Sequence, residues 1–337
     1  MTKAAPTLED VARVAGVSRA TVSRVVNGTR NVDPELQATV RNAIEETGYT
    51  PNRVARSLVT RRTGTVALVI SGAGSGSDVF TDPFFGRVTA GVVDFLRLHA
   101  VHPVLMLADT DAARTEVVEF LRQGSADGAL LVTTHSADPL PALLLDASVP
   151  VALYARPGRP MPVSYVDMDH HAGGRMAADH LVATGRTNVG TVSGPLDVLA
   201  SQDRYSGFVD AMARHGFPYV PAIEGGFTWE SGARAMQLLL DEHPELDAVF
   251  VANDLMAQGA MHTLNSYGRS VPVDVAVVGF DDSSPALACR PLLTTVRQPV
   301  ERMAAAMAGL LLESLEKPGQ RPKSVIFEPE LVVRGSA

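Results

Sequence analysis

Cysteine is almost absent from this chain: Cys289 is the only one in 337 residues. A lone thiol closes no internal disulfide and builds no cysteine-based zinc cluster, which excludes a disulfide scaffold and fits a reducing cytoplasm. Aromatic residues are scarce at 5%, with a single tryptophan, Trp229. No apolar run approaches the roughly 18 residues of a membrane helix. The N-terminus, MTKAAPTLEDVARVAG, is too polar for a secretory signal. What is present is ordinary globular composition, 46% hydrophobic and 20% charged. At roughly 100–200 residues per domain, the length suggests two or three domains.

The net charge of -8 hides an asymmetry. Residues 1–62 hold ten Lys/Arg against six Asp/Glu, while the remainder holds 19 against 31. A basic head on an acidic body is a footprint of nucleic-acid binding.

The head reads as three short helices. Thr7 caps Leu8–Ala15, in which Leu8, Val11, Ala12 and Ala15 make one apolar stripe. Gly16-Val17-Ser18 breaks the pattern, and Ser18 caps Arg19–Val26. Val22, Val25 and Val26 form the buried face of that helix. Arg19, Thr21, Ser23, Arg24 and Asn27 form the other. Asp33, with Pro34 behind it, opens a third helix that Gly48 stops. Two helices joined by a three-residue turn and braced by a third describe a helix-turn-helix, the second helix being the reader. Arginine grips guanine and asparagine adenine in the major groove, while hydroxyls and Arg24 hold phosphate. Arg19 and Ala20 open the reader helix, where N-terminal residues meet base edges, so they are expected to set operator preference. Arg19 reads a guanine or holds a phosphate.

Residues 51–60, PNRVARSLVT, are too few for a stable isolated helix. They carry two arginines, and Leu58 has no local core to join. A conditional helix with a leucine wedge in the minor groove suits this segment; a plain linker is the alternative.

TLEDVARVAGVSRATVSRVVNG followed by GYTPNRVARSL resembles the headpiece and hinge of the LacI/GalR family of bacterial repressors. In the body, HLVATGRTNVGTVSGP, DRYSGFVDAM, VANDLMAQGAM, VAVVGFDD and PLLTTVRQP resemble that family's effector-binding core. The resemblance covers essentially the whole chain. It implies a headpiece over 1–50, a hinge over 51–62 and a two-lobed, periplasmic-binding-protein-like core over 63–337. It extends the DNA-contacting set to Leu8, Ser18, Asn31, Tyr49, Asn52 and Ala55. It also implies a homodimer on a palindromic operator, released or less commonly recruited by a small effector.

The body alternates between strands and helices. Strands are expected at Thr65–Ile70, Val104–Ala108, Ala129–Val132, Val149–Tyr154, Val189–Val192, Ala248–Val251 and Val275–Gly279. Helices are expected at Phe84–Leu98, Glu116–Gln123, Gly174–Ala183, Arg204–His215, Ser231–Glu242 and Met256–Tyr267. Two such series imply an α/β fold of two parallel sheets flanked by helices, with ligand in the cleft beyond the strand ends.

The strand-end loops carry Asp82-Pro83-Phe84-Phe85, Thr133-Thr134-His135, Asp167 and Asp169, Asn253-Asp254 and Phe280-Asp281-Asp282. Carboxylates and amides take hydroxyls, and aromatic faces stack on a ring, so a polyhydroxylated or planar ligand fits. Helix capping is the competing role for each single Asn or Asp. The resemblance implies effector contacts from Phe84, Phe85, Arg204 in R-x-x-G-F, Phe227, Asn253 and Asp281, with Asp169 preferred over Asp167; strand-end position adds His135. Trp229 is a second stacker or a rim residue.

Other signals lead away from catalysis. Gly72-Ala-Gly-Ser-Gly76 lacks the Gly-Lys-Ser/Thr of a phosphate loop. His170 and His171 are adjacent and make a poor metal pair, Cys289 reads as a buried thiol, and no cofactor is implied. The expected function is a cytoplasmic, ligand-responsive repressor that is not an enzyme. The alternatives are a solute-binding protein and a Rossmann-type sugar or nucleotide enzyme. The ending at 330–337 shows no heptad tail, so a dimer rather than a tetramer is expected.

Overall fold

The computed structural model describes residues 6–26, 32–49, 62–72, 81–133 and 135–337. Asn27, Asn31, the hinge at 51–60 with Asn52, Ala55 and Leu58, Thr134 and most of the Gly72–Gly76 loop lie outside the described residues. The chain forms two compact units, Met1–Gly64 and Thr65–Ala337.

The first unit holds α1 (Leu8–Ala15), α2 (Arg19–Val26) and α3 (Pro34–Thr47). Thr7 and Asp10 close a capping box on α1, and Gly16 turns it off in the left-handed region at φ 65°. The Ser18 hydroxyl accepts from the Thr21 amide at 3.1 Å, starting α2. Asp33 caps α3, which Gly48 ends. Val11, Ala12, Val22, Val40 and Ala43 are buried between the helices. Leu8 and Tyr49, expected at DNA, are half-buried and pack on that same core.

The second unit has two lobes. The first holds β1 (Thr65–Ser71), α4 (Pro83–Leu98), β2 (His102–Ala108), α5 (Asp111–Arg122), β3 (Ala129–Thr133), α6 (Leu140–Asp146), β4 (Val151–Tyr154) and β5 (Ser164–Met168). The chain then crosses into the second lobe. There it builds α7 (His170–Ala183), β6 (Val189–Ser193), α8 (Leu199–Arg214), β7 (Ala222–Glu224), α9 (Trp229–Glu242), β8 (Ala248–Val251), α10 (Asp254–Ser266), β9 (Ala276–Asp281), α11 (Ser284–Ala288) and β10 (Thr294–Arg297). It returns to the first lobe for α12 (Val300–Glu316) and β11 (Ser324–Phe327), and crosses a last time to β12 (Glu330–Val332).

The sheet orders are β11-β5-β4-β3-β1-β2 and β12-β10-β9-β8-β6-β7. Every pairing is parallel except β10 with β12. Parallel strands covered on both faces read as continuous apolar runs, which is why AVFV and TVALVIS declare themselves in the sequence. Each sheet reverses its winding beside its first strand, β1 or β6, and such switch points open a crevice at the strands' carboxyl ends. Three crossings, at 168–170, 297–300 and 327–330, join the lobes, and the first and third are tied by the Asp169 amide donating to the Phe327 carbonyl at 2.9 Å.

Helix starts differ from the alternation read in the sequence where a cap lies upstream. The Thr110 hydroxyl accepts from the Ala113 amide, so α5 begins at Asp111 rather than Glu116. Asn253 caps α10, which begins at Asp254, two residues before Met256. Among the described residues no helix is long and apolar enough to cross a membrane.

Candidate effector cleft

Between the lobes lies a cavity of about 690 Å³, walled by the carboxyl ends of strands from both sheets. A buried charge in its wall is Arg204, on the second turn of α8 and 6% exposed. α8 is brought there by close packing on α7. A Cβ on Gly174 would come within 2.1 Å of the Arg204 carbonyl oxygen, and one on Gly207 within 2.0 Å of that of His171. Only glycine at both positions lets the two backbones approach this closely.

The guanidinium of Arg204 makes contacts through all three of its nitrogens. It donates to the Ala252 carbonyl at 2.6 Å, Gln298 Oε1 at 3.0 Å and His170 Nδ1 at 3.2 Å. It stands 3.4 Å from Asp281 Oδ1, and its carbon lies 3.7 Å from the centroid of the Phe280 ring. Arginine only donates, so Nδ1 of His170 must accept and the ring proton sits on Nε2, which faces Asp167 Oδ1 at 3.6 Å. Burial holds His170 well below its ordinary pKa, with the Arg204 charge adding to the effect, so the ring is neutral. Burial also raises the carboxyls of Asp281, Asp254 and Asp82, and lowers the pKa of Arg204.

Around this centre stand Phe84 and Tyr154, edge to face at 5.3 Å, with Phe85 5.1 Å from Phe84. Phe227, held at φ 62°, lines the opposite wall. Asn253 reaches the wall, but both ends of its amide are used: Oδ1 accepts from the Met256 amide at 2.9 Å and Nδ2 donates to the Phe227 carbonyl at 3.3 Å. It caps a helix and fixes Phe227 at once. Asp254 faces away from the cavity, accepting from Ser283 and Thr295.

At the rim the lobes touch in two places. His135 Nδ1 meets Asp197 Oδ2 at 2.6 Å, and the Ser136 amide donates to the Asp197 carbonyl at 3.0 Å. Arg156 grips both carboxylate oxygens of Asp203 and also reaches Asp167.

The cavity thus gathers Phe84, Phe85, His135, Arg204, Phe227, Asn253 and Asp281 in one wall system. Asp169 is a correction. It accepts from the Ala172 amide at 2.8 Å as the cap of α7 and does not line the cavity, whereas Asp167, the last-but-one residue of β5, does. Trp229 is another. Thr228 caps α9, so Trp229 begins a helix rather than extending a strand, and its ring lies 5.1 Å from that of His262. Tyr154, Arg156, His170 and Gln298 were not singled out by residue type. Position could have found Tyr154, Arg156 and Gln298, since each stands at or just past the end of β4 or β10.

On the separate head, α2 exposes Arg19, Ala20 and Arg24, with Thr21 and Ser23 half-buried. Arg19 Nε lies 3.0 Å from Glu9 Oε1 of α1. Among the described residues no group of three or more His, Cys, Asp or Glu is placed to hold a metal ion.

Residues 7–52 match the bacterial regulatory proteins of the lacI family, and residues 178–337 match the periplasmic binding protein-like domain. The chain is 42% identical over 338 residues to the HTH-type transcriptional regulator CelR of Thermobifida fusca, covering 98% of each. It is 32% identical to the ribose operon repressor of Escherichia coli (strain K12), covering 98% of this chain and 99% of that one. Among solved structures, a transcriptional regulator CelR–cellobiose complex matches with a TM-score of 0.78 at 41% identity, over 98% of this chain and all, 100%, of the other. The lac repressor dimer bound to operator and the anti-inducer ONPF matches at 0.83 and 26% identity, over 98% and 99%.

Proposed function

This chain belongs to the lacI family of bacterial regulatory proteins and is a ligand-responsive, DNA-binding transcription regulator; from that premise we propose that it represses transcription as a homodimer on a palindromic operator and is released by a gluco-disaccharide, cellobiose, bound between the lobes. The observation that carries the ligand class is the cavity wall. A buried arginine and carboxylate, Arg204 and Asp281, sit among the aromatic faces of Phe84 and Phe227. Such a wall offers a sugar hydroxyls' partners and a ring to stack on. The 690 Å³ volume lies within the roughly 300–1,000 Å³ of small-molecule sites. The 42% identical relative and the cellobiose complex of a CelR support the particular sugar.

Within this reading the effector contacts are Phe84, Phe85, His135, Arg204, Phe227, Asn253 and Asp281, joined by Asp167 in place of Asp169. Operator contacts are Leu8, Ser18, Arg19, Ala20, Thr21, Ser23, Arg24, Asn27, Asn31 and Tyr49 of the headpiece, here 1–50, and Asn52, Ala55 and Leu58 of the hinge, 51–62. The core, 63–337, pairs through its first lobe, where Val93 and Leu98 of α4 and Val104 and Leu105 of β2 are exposed apolar residues. The cleft binds rather than catalyses: the buried carboxyl behind its wall, Asp254, faces away and is bonded to Ser283 and Thr295. Action on chromosomal DNA places the protein in the cytoplasm.

A ligand that binds only the folded protein raises its apparent stability, by about 2.7 kcal/mol at a hundredfold excess over Kd. Melting the full chain with cellobiose, glucose, ribose and guanine tests the class. Cellobiose should raise Tm most; stabilisation by guanine alone would overturn the sugar reading.

A further inference from the structure

Arg87 is neither a cavity residue nor a free surface charge. It lies on α4, one turn after Phe84 and Phe85, with its side chain 20% exposed. Nε and Nη2 clamp both carboxylate oxygens of Glu301, at 2.6 and 2.9 Å. Glu301 is in the first turn of α12, and a Cβ on Gly91 would come within 2.5 Å of its carbonyl oxygen, so α4 and α12 are locked backbone to backbone there. The rest of the fork crosses to the other lobe and to the crossing itself. Nη1 donates to the Asp281 carbonyl at 2.9 Å, and Nη2 to the Gln298 carbonyl at 3.2 Å.

Both acceptors belong to residues whose side chains serve the cleft. The Asp281 carboxylate is the ion-pair partner of Arg204, on a backbone held at φ 108°. The Gln298 side chain accepts from Arg204 and donates to Tyr154 Oη at 3.1 Å, spanning the lobes. The same two residues thus face the cavity by their side chains and Arg87 by their carbonyls. A ligand that draws Arg204 or Asp281 by a few tenths of an ångström shifts those carbonyls against a rigid fork whose other arm is fixed to α12.

We infer that Arg87 is a positioning residue, which ties the cleft-facing Asp281 and Gln298 to the α4–α12 pair and so carries the state of the cleft to the outer helices of the first lobe. It touches no effector. The inference rests on the cleft being the effector site. It assigns the contact at the lobe crossing a role in coupling rather than in affinity or stability. The planar fork is what the role requires: it bridges one carboxylate and two carbonyls at once, which a lysine ammonium does not.

The test uses full-length protein, a duplex selected by that protein from a random pool, and cellobiose. The quantity read is the ratio of operator Kd with and without the sugar. By linkage this equals the ratio of sugar affinities with and without operator, and a merely structural residue lowers Tm without moving it. Arg87→Met should bring the ratio from the roughly 5–150-fold range of such couplings down close to one. Glu301→Gln should cut it less, and the double variant no further than Arg87→Met alone, because the two act as one unit. Arg87→Lys, with charge but no fork, should recover only part of the loss; it and Glu301→Gln decide the matter if Arg87→Met does not fold. An unchanged ratio in those variants, or losses that multiply, overturns the inference. A second arm needs no sugar. Amide exchange in the effector-free full chain should speed up over 82–92 and 295–303 in Arg87→Met, because the crossing loses its anchor. Unchanged exchange there overturns the inference even if cellobiose proves the wrong ligand. A wild type that ignores every sugar while that exchange rises refutes the ligand class alone.

Discussion

Arg204 and Asp281 form an ion pair in the cleft's inner wall, 3.4 Å apart, with the Phe280 ring beneath the guanidinium. Both side chains are largely buried, 7% and 12% exposed. Removing one partner of a buried pair typically costs about 3–5 kcal/mol, because the survivor is left unpaired. Arg204→Ala should therefore lower Tm steeply and abolish cellobiose binding. Arg204→Lys is the sharper probe: it keeps the charge but not the fork that holds Ala252, Gln298 and His170. Calorimetry should show its cellobiose affinity down by about tenfold or more, which is about 1.4 kcal/mol. Wild-type affinity in the lysine variant would remove Arg204 from the effector contacts.

Titration of the same site has a defined sign. Burial lifts the Asp281 carboxyl from 3.8 to about 6. Between those values the native state keeps a proton that the unfolded chain has released. This group's contribution to stability is thus greatest below pH 3.8 and falls as the pH rises through about 6. Asp281→Asn removes that slope. Melts at a series of pH values should show the wild type losing ground to the variant from pH 4 to 6 and holding a constant difference above it. His170 acts oppositely, since its depressed pKa means stability lost as the pH drops below 6.5. Parallel curves for wild type and Asp281→Asn would contradict the buried-acid account.

The glycine contacts between α7 and α8 predict a long-range effect on binding. Gly174→Ala drives a methyl to within 2.1 Å of the Arg204 carbonyl oxygen. Overpacking of this kind costs about 1–3 kcal/mol and moves backbone. The backbone that moves carries Arg204, so the variant should lose both stability and sugar affinity. Gly185→Ala, at a left-handed turn with open space around it, should lose stability with little change in affinity. Equal affinity losses in the two would deny the packing argument.

On the headpiece, Glu9 holds Arg19 by an exposed pair, 3.0 Å long. Such pairs add about 0–1 kcal/mol to stability, so the consequence lies in DNA binding. Arg19→Ala should cost about 1–3 kcal/mol and relax selectivity at one base pair if the guanidinium reads a base. A panel of single-base operator variants separates this from a phosphate contact, which would weaken all sequences alike.

Much of this architecture is legible in the sequence, and the exceptions share causes. α1 and α2 are read to the residue, because caps and stripes agree there. Strands β1, β3, β6 and β8 are read because both faces are buried. The chain beyond residue 281 is harder. β11 and β12 are short and half exposed, with polar and apolar residues that set no period. α12 does carry a helical signal in Met303, Ala304, Met307, Ala308 and Leu311, but its surroundings of alanine and leucine blur the stripe. In the cleft, the rule that strand ends line the ligand located Phe84, Asn253 and Asp281. It could not tell Asp167 from Asp169, since two residues decide whether a carboxylate ends a strand or caps a helix. Gln298 and Arg87 act by backbone and long-range contacts, 194 and 211 positions apart for Arg87, and no local pattern records those.

The most direct test of the whole account is fluorescence anisotropy of the full chain on a labelled duplex selected by that chain, titrated with cellobiose. The account predicts high anisotropy without sugar and a saturable fall as cellobiose is added, its midpoint moved about tenfold or more to higher sugar in Arg204→Lys. An operator complex that persists unchanged at saturating cellobiose, while calorimetry shows the sugar bound, would contradict it.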